Sequence, residues 1–425
     1  MTQIVNPVSA FKAGIQVPGD KSLSHRALMF ASLAKGTSRI RGLLMADDVR
    51  STWACMQAMG VHISTNANIV EVSGQGLRGL KAPAQDLDCG NSGTTMRLMM
   101  GILAGQTFNS TLIGDASLSN RPMLRVANPL RQMGAQIELT KERFAPVRIQ
   151  GQAIHGIDYA LPVASAQLKS ALILAGLWAQ SPVSLSGAIA SRDHTERLLP
   201  YFGAKLTLQP DRIQIQPAQE LVARDFDVPG DPSTAAFWLA AAAIVKGSQV
   251  TLPKVCLNPT RLGFVRVLER MGAQITCTTE HESPEPVGCI ELHHQKLIAT
   301  QVEAHEIPDL VDEVPLIAIL ATQATGTTSV RGAEELRIKE SDRLEAIASN
   351  LRQMGGEIIL YEDGFDITGP QQLQGASIHP FHDHRIAMAF AIAGLVAKGP
   401  TQIQNPECVS ISYPEFFDVL AQLSH

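Results

Sequence analysis

The residues best suited to chemistry stand where apolar segments begin. Gly19-Asp20-Lys21-Ser22-Leu23-Ser24-His25-Arg26 runs directly into Ala27-Leu28-Met29-Phe30, setting a lysine, hydroxyls and an arginine on the opening turns of a helix. Unsatisfied backbone N–H groups and the positive end of the helix dipole already favour an anion there. Cations at that end are electrostatically unfavourable without a ligand, so a phosphate or carboxylate is the expected occupant. Gly90-Asn91-Ser92-Gly93-Thr94-Thr95 supplies small residues that let backbone N–H groups approach an anion closely. Ser165, Gln167 and Lys169 open a third segment, while Arg121, Arg192, Lys339, Arg343 and Arg385 add cations at other element ends. Singly, each reads as a solvated charge or a cap. Jointly they call for at least two anionic groups held at once.

Two other readings of these stretches fail on chemistry. Gly14 to Ser22 comes within one residue of a phosphate-binding P-loop, but Asp20 and the stiff Val17-Pro18 spoil the nest such a loop needs. His379-Pro380-Phe381-His382-Asp383-His384 has metal-ligand residue types. It lacks a second matched cluster, so helix capping and hydrogen bonding are expected there, and no metal.

The elements that must position these groups recur along the chain. A hydroxyl-rich start leads into an apolar helix, then a strand, then an amphipathic helix that closes in a Met-Gly-Ala type turn. That turn appears as Met59-Gly60-Val61, Met133-Gly134-Ala135, Phe202-Gly203-Ala204, Met271-Gly272-Ala273 and Met354-Gly355-Gly356. The spacing is roughly 70 to 80 residues, which implies duplicated supersecondary units. Each glycine sits at the expected C′ position of a helix. First helices are expected near Lys21, Asn91, Ser165, Pro232, Asp312 and His384, giving six copies, the last cut short. Six copies divide into three plus three, with the break at the Pro/Gly-rich Asp227-Val228-Pro229-Gly230-Asp231-Pro232.

At 425 residues, two domains are the default. A hydrophobic content of 45% with 18% charged residues describes an ordinary globular chain, and the net charge of −5 argues against nucleic acid as a partner. The anion sites must then be local clusters of cations. Cys55, Cys89, Cys256, Cys277, Cys289 and Cys408 form no CxxC pair and no disulfide framework, so buried reduced thiols are expected. No secretory signal is visible at the start of the sequence and the apolar run at 239–245 is too short to span a bilayer, so a cytoplasmic location without a membrane partner is expected.

These motifs, in order over nearly the whole chain, resemble those of the 5-enolpyruvylshikimate-3-phosphate synthases. The resemblance is carried by Asp20–Arg26, Gly90–Arg97, Arg121-Pro122-Met123, Arg337–Arg343 and Asp383-His384-Arg385. It implies an α/β fold of two similar domains, each of three βαβαββ repeats (an inside-out α/β barrel), with the active-site cleft between them. The expected domains are 19–229, and 1–18 plus 230–425. The implied activity transfers the enolpyruvyl group of phosphoenolpyruvate to the 5-hydroxyl of 3-phosphoshikimate and releases phosphate, without a cofactor. Carried onto this chain, Lys21, Ser22, Arg26, Ser165, Ala166 (through its N–H), Gln167, Arg192, Asp312 and Lys339 would hold 3-phosphoshikimate. Lys21, Gly93, Arg121, Gln167, Arg343 and Arg385 would hold phosphoenolpyruvate. Such a transfer needs a general acid and a general base. Glu340 is the candidate acid toward the methylene carbon, Asp312 the candidate base for the hydroxyl, and Lys21 an electrostatic or proton-transfer assistant.

Departures and rivals are also legible. Ser410-Ile411-Ser412-Tyr413-Pro414 stands where some members of the family carry a lysine, which leaves one phosphoenolpyruvate contact missing or supplied from elsewhere. The sister enzymes that use UDP-N-acetylglucosamine as acceptor carry a reactive cysteine before the Arg-Pro motif and Lys-Asn at the first helix. Here those stretches read Gly114-Asp115-Ala116-Ser117-Leu118-Ser119-Asn120 and Lys21-Ser22, which disfavours them. A non-catalytic anion-binding protein would not need Glu340 and Asp312 among its cations. The repeats can bury their own faces, so a monomer is expected.

Overall fold

The computed structural model describes residues 2–217 and 220–423. The chain separates into two compact units, Gly19–Val228 and a second made of Met1–Pro18 with Pro229–His425. The 19–228 unit holds helices α1 (Lys21–Leu33), α2 (Asp47–Ala58), α3 (Gly93–Ala104), α4 (Leu124–Gln132), α5 (Ala166–Gly176) and α6 (His194–Tyr201). The other holds α7 (Pro232–Ile244), α8 (Gly263–Arg270), α9 (Val314–Gln323), α10 (Arg343–Gln353), α11 (His384–Gly394) and α12 (Phe416–Gln422).

The odd-numbered helices are the inner layer. Every residue of α7 and α11 is buried, and α1 is buried from Leu23 to Leu33. A helix that is apolar all round can be satisfied only inside a protein, and here α3 packs on α5, and α7, α9 and α11 pack on one another. Alanine and glycine make the close approach possible. An added Cβ on Gly101 of α3 would fall 2.2 Å from the Ala171 carbonyl oxygen of α5. The even-numbered helices bury one face only, as their amphipathic sequences require.

Sheets cover the helices from outside, among the described residues as six separate open sheets of three to five strands. In each, a short leading strand runs parallel to the strand that follows the buried helix. Further strands continue antiparallel, as in Leu87–Asp88, Ser110–Ile113, Phe144–Gln150 and Gln136–Thr140. One face of each sheet looks to solvent, so the strands alternate, with Val70, Val72 and Gly74 inward and Glu71 and Ser73 less buried. The repeats that lack a leading strand of their own borrow one. Leu221–Val222 and Phe226–Asp227 pair with Ala34–Arg41, and Lys12–Gly14 pairs with Gln249–Cys256. The shortened last repeat, Ser377–Ile378 and Thr401–Gln404, is completed by Thr2–Val5 running antiparallel. The amino-terminal strands are thus part of the sheets of the 229–425 segment.

The five repeated turns behave alike. Gly60, Gly134, Gly203, Gly272 and Gly355 all have φ between 75° and 100°, a conformation that costs other residues roughly 1 kcal/mol or more. Some sequence expectations shift. The helices expected at Asn91 and Asp312 begin at Gly93 and Val314, because Ser92 caps α3 and a turn through Leu310–Glu313 precedes α9. The cysteines are not uniformly buried: Cys277 is exposed and Cys289 half-buried. Cys277 lies on Gln274–His281, an outermost strand whose residues are almost all exposed, so its environment is set by sheet position, not residue type. Among the described residues, no helix is long and apolar enough to cross a membrane.

Candidate active site

In the 19–228 unit the starts of α1, α3 and α5 are tied to one another by the residues singled out from sequence. Asp20 caps α1, accepting from Leu23 N at 2.7 Å, and Lys21 follows at the first helical position. Its ammonium pairs with Asp48 at the start of α2, 3.0 Å away. Ser22 is half-buried, and its carbonyl accepts from Arg26 Nη1 at 3.0 Å. Arg26 is itself buried: Nε donates to Thr195 Oγ1 and Nη2 to Ser170 Oγ, both at 2.8 Å, which joins α1 to α5 and α6.

Gln167 links two helix starts. Its Oε1 accepts from Arg97 Nη1 at 2.7 Å, and its Nε2 donates to Thr94 Oγ1 at 3.0 Å. Ser165 caps α5, leaving the N–H groups of Ala166 and Gln167 on the first turn without an intrahelical acceptor. Arg121, 8% exposed, donates to Asn91 Oδ1 at 3.3 Å. Gly93 is the tightest point. A Cβ there would lie 3.0 Å from Arg97 Nη1 and 3.4 Å from Arg121 Nη1, so the absence of a side chain keeps this cationic corner open. Two guanidinium groups and first-turn N–H groups so placed can hold one multiply charged anion. Arg192 is half-buried in the loop before α6.

Lys169, counted from sequence among the cations at helix starts, has a structural place. It is 1% exposed and pairs with Glu196 at 2.6 Å, donating also to the carbonyls of Ile189 and Ser191 at 2.9 and 3.1 Å. It thereby pins the loop that leads to Arg192. Losing the ammonium would strand a carboxylate that is 3% exposed. Lys169→Met is expected to lower unfolding free energy by about 3 kcal/mol, read by denaturant titration, with part recovered when Glu196→Gln is added.

The other unit gathers charge of both signs around α9, α10 and α11. Arg343, 1% exposed, meets Asp383 through Nε at 2.7 Å, Glu340 through Nη2 at 2.5 Å and Asp312 through Nη1 at 3.3 Å. Burial alone would lower its pKa, but Asp383, Glu340 and Asp312 outweigh that and hold the guanidinium above its ordinary value. Asp383 also caps α11, accepting from Arg385 N at 2.9 Å, and accepts from Ser341 Oγ at 3.1 Å. The His379–His384 run therefore does contain a helix cap. Arg385 reaches Asp312 Oδ1 at 3.7 Å and Glu313 Oε1 at 3.8 Å. Lys339 lies 3.8 Å from Glu335. Desolvation lowers its pKa, against the pull of Glu335, Asp312 and Glu340. Ser410 and Ile411, where a lysine was the unmatched contact, belong to the short 3₁₀ segment Pro406–Ile411.

Three participants were not singled out from sequence. Arg97 lies inside the Gly90–Arg97 motif, one helical turn past Gly93, and that spacing was its signal. Asp383 was quoted in a motif without a role. Asp48 carried no signal, since an acid at a helix start is ordinary.

Helix starts bearing cations in one unit suit anionic ligands, and the arginine–carboxylate cluster in the other carries groups able to exchange protons. Comparison with known proteins narrows this further. The sequence profile of the EPSP synthases (3-phosphoshikimate 1-carboxyvinyltransferases) matches residues 5–420. The 3-phosphoshikimate 1-carboxyvinyltransferase of Herpetosiphon aurantiacus is 48% identical, covering 100% of this chain and 99% of its own. That of Bacillus cytotoxicus is 46% identical over 96% of this chain and 97% of its own. A solved EPSP synthase from Acinetobacter baumannii superposes with a TM-score of 0.88 at 42% identity, covering 99% of this chain and 98% of that one. The chain belongs to the EPSP synthase family.

Proposed function

We propose that this chain transfers the enolpyruvyl group of phosphoenolpyruvate to the 5-hydroxyl of 3-phosphoshikimate, releasing phosphate, with the residues assigned from sequence in the roles given there. Family membership supports the reaction, and Gly93 is the observation that carries the assignment. A Cβ at Gly93 would crowd the Arg97 and Arg121 guanidiniums, so glycine leaves the most space there for a compact anion such as phosphoenolpyruvate. Lys21, Arg121 and Gln167 complete that side, and Arg343 and Arg385 take the remaining charge. Ser22, Arg26, Ser165, Ala166 N–H, Gln167 and Arg192 serve 3-phosphoshikimate, with Asp312 and Lys339. Arg26 is bonded at three nitrogens to Ser22, Ser170 and Thr195, so it also orients the phosphate-binding helix starts.

The chemistry is an addition followed by an elimination. Asp312 takes the proton of the 5-hydroxyl as its oxygen bonds to the central carbon of phosphoenolpyruvate, and the methylene carbon gains a proton from Glu340. The adduct then expels phosphate, which carries off the proton taken by Asp312, as the methyl group returns a proton to Glu340. Glu340 must hold a proton before it can give one, and its 2.5 Å pairing with Arg343 opposes that. The decisive assay mixes the protein with phosphoenolpyruvate and one acceptor at a time. Phosphate release with 3-phosphoshikimate and none with UDP-N-acetylglucosamine is expected; the reverse result sinks the reading.

A further inference from the structure

One line of buried side chains runs from α1 to the start of α3 and includes no group assigned to substrate. His25 Nδ1 lies 2.7 Å from Thr52 Oγ1 on α2, which lies 2.7 Å from Thr95 Oγ1 on α3. Thr95 Oγ1 is in turn 2.8 Å from Ser92 Oγ, the cap that also accepts from Thr95 N at 3.1 Å. All four residues have no exposed surface. The ends of the line are the informative part. His25 sits one helical turn after Lys21, and Ser92 immediately precedes Gly93.

The shorter contacts give the hydrogens of this line one arrangement, with the Asp48 carbonyl a more distant acceptor at 3.4 Å from Thr95 Oγ1. Burial, and then the charges of Lys21 and Arg26, hold the His25 pKa well below the ordinary imidazole value, so the ring is neutral with a single N–H. Its Nε2 is buried without a hydrogen-bond partner among the described residues. A proton there would be an orphaned donor, whereas on Nδ1 it meets Thr52. Thr52 then donates to Thr95, and Thr95 to Ser92 Oγ, which keeps lone pairs for the Thr95 N–H. Each hydroxyl points the same way, toward the turn at Gly93. A buried polar line of this kind admits one arrangement of its members, where apolar packing would admit several. α2 is thereby held twice: through Thr52 to both neighbours, and through Asp48 to Lys21.

We propose that His25 is a positioning residue, which through Thr52 and Thr95 fixes the Ser92-capped turn at Gly93 relative to Lys21, so that both are preset for one phosphoenolpyruvate. This rests on the roles given to Lys21 and Gly93 above. Thr52→Val keeps the shape and removes the middle hydroxyl. It is expected to raise KM for phosphoenolpyruvate about tenfold, with KM for 3-phosphoshikimate within about twofold of the parent, since small displacements at a reacting site are costly. Thr52→Ser restores the hydroxyl and should restore KM. An unchanged KM in Thr52→Val, or equal damage in Thr52→Ser, overturns the proposal. The parent protein supplies a measurement independent of both variants and of turnover. Its imidazole ¹⁵N shifts are expected to report His25 as the Nδ1–H tautomer, and an Nε2–H tautomer also overturns the proposal. A parent that releases no phosphate from its substrates refutes the functional reading instead, while the ¹⁵N result still decides the direction of the line.

Discussion

Asp312→Asn is expected to slow turnover by about 10²- to 10⁴-fold, the usual contribution of a positioned general base. The amide keeps the shape of the carboxylate and can still accept from Arg343 Nη1, now 3.3 Å from Oδ1. It cannot take a proton from a hydroxyl. The loss should therefore fall on kcat measured by phosphate release at saturating substrate, and less on KM for phosphoenolpyruvate. Some KM effect is expected for 3-phosphoshikimate, which Asp312 is proposed to touch. Asp312 also faces Arg385 at 3.7 Å, so the variant leaves that guanidinium with less negative charge nearby and favours anions generally. Undiminished kcat would eliminate Asp312 as the base and leave Glu340 and Lys21 to share the proton transfers.

Arg343→Met is expected to cost about 3–5 kcal/mol of stability as well as activity, because it removes one partner of a buried ionic cluster. Three carboxylates contact this guanidinium, and Asp383 is fully buried. Without the positive charge, Asp383 retains only the Ser341 hydroxyl and the Arg385 N–H as donors, and must remain charged in a poor environment or take up a proton. The start of α11 would loosen with it, since Asp383 is the cap of that helix. Denaturant titration reads the stability loss. A second variant separates stability from function: Arg343→Lys keeps the charge but loses the planar fork that reaches three carboxylates, so it should fold better than Arg343→Met and still bind phosphoenolpyruvate poorly. Arg343→Met with parental stability would show that these carboxylates do not depend on the guanidinium.

The fold was largely legible because its repeat leaves local marks. A glycine at each helix end, an apolar helix ahead of it and an amphipathic one after need no tertiary information to be recognised. Their φ values of 75° to 100° are what that turn requires of any chain. The borrowed strands were harder. Leu221–Val222 and Lys12–Gly14 are too short for a periodic pattern, and their place follows from which sheet edge was left open. The thiols were misjudged for a related reason: whether a strand residue is buried depends on where its strand lies in a sheet, and Cys277 lies on an outermost one.

The site divides in the same way. Cations at helix starts are a property of adjacent residues, so Lys21, Gly93, Gln167 and Arg385 could be singled out from the sequence. What each cation does depends on partners far along the chain. Lys169 and Lys21 look equivalent in sequence, yet Lys169 is buried against Glu196 and two carbonyls, whereas Lys21 is half-buried at its helix start and pairs with Asp48. Arg97 and Asp383 gained roles only once their guanidinium and carboxylate groups met Gln167 and Arg343.

The sequence alone marked the repeated helix–strand units and the cation-bearing helix starts, because helix capping, chain reversal and apolar periodicity act between near neighbours, and its motifs carried the family resemblance. The tertiary structure alone decided which partner each charge meets. Desolvation and ion pairing depend on distances of a few ångströms between residues that the chain separates by dozens of positions, and no local pattern encodes them.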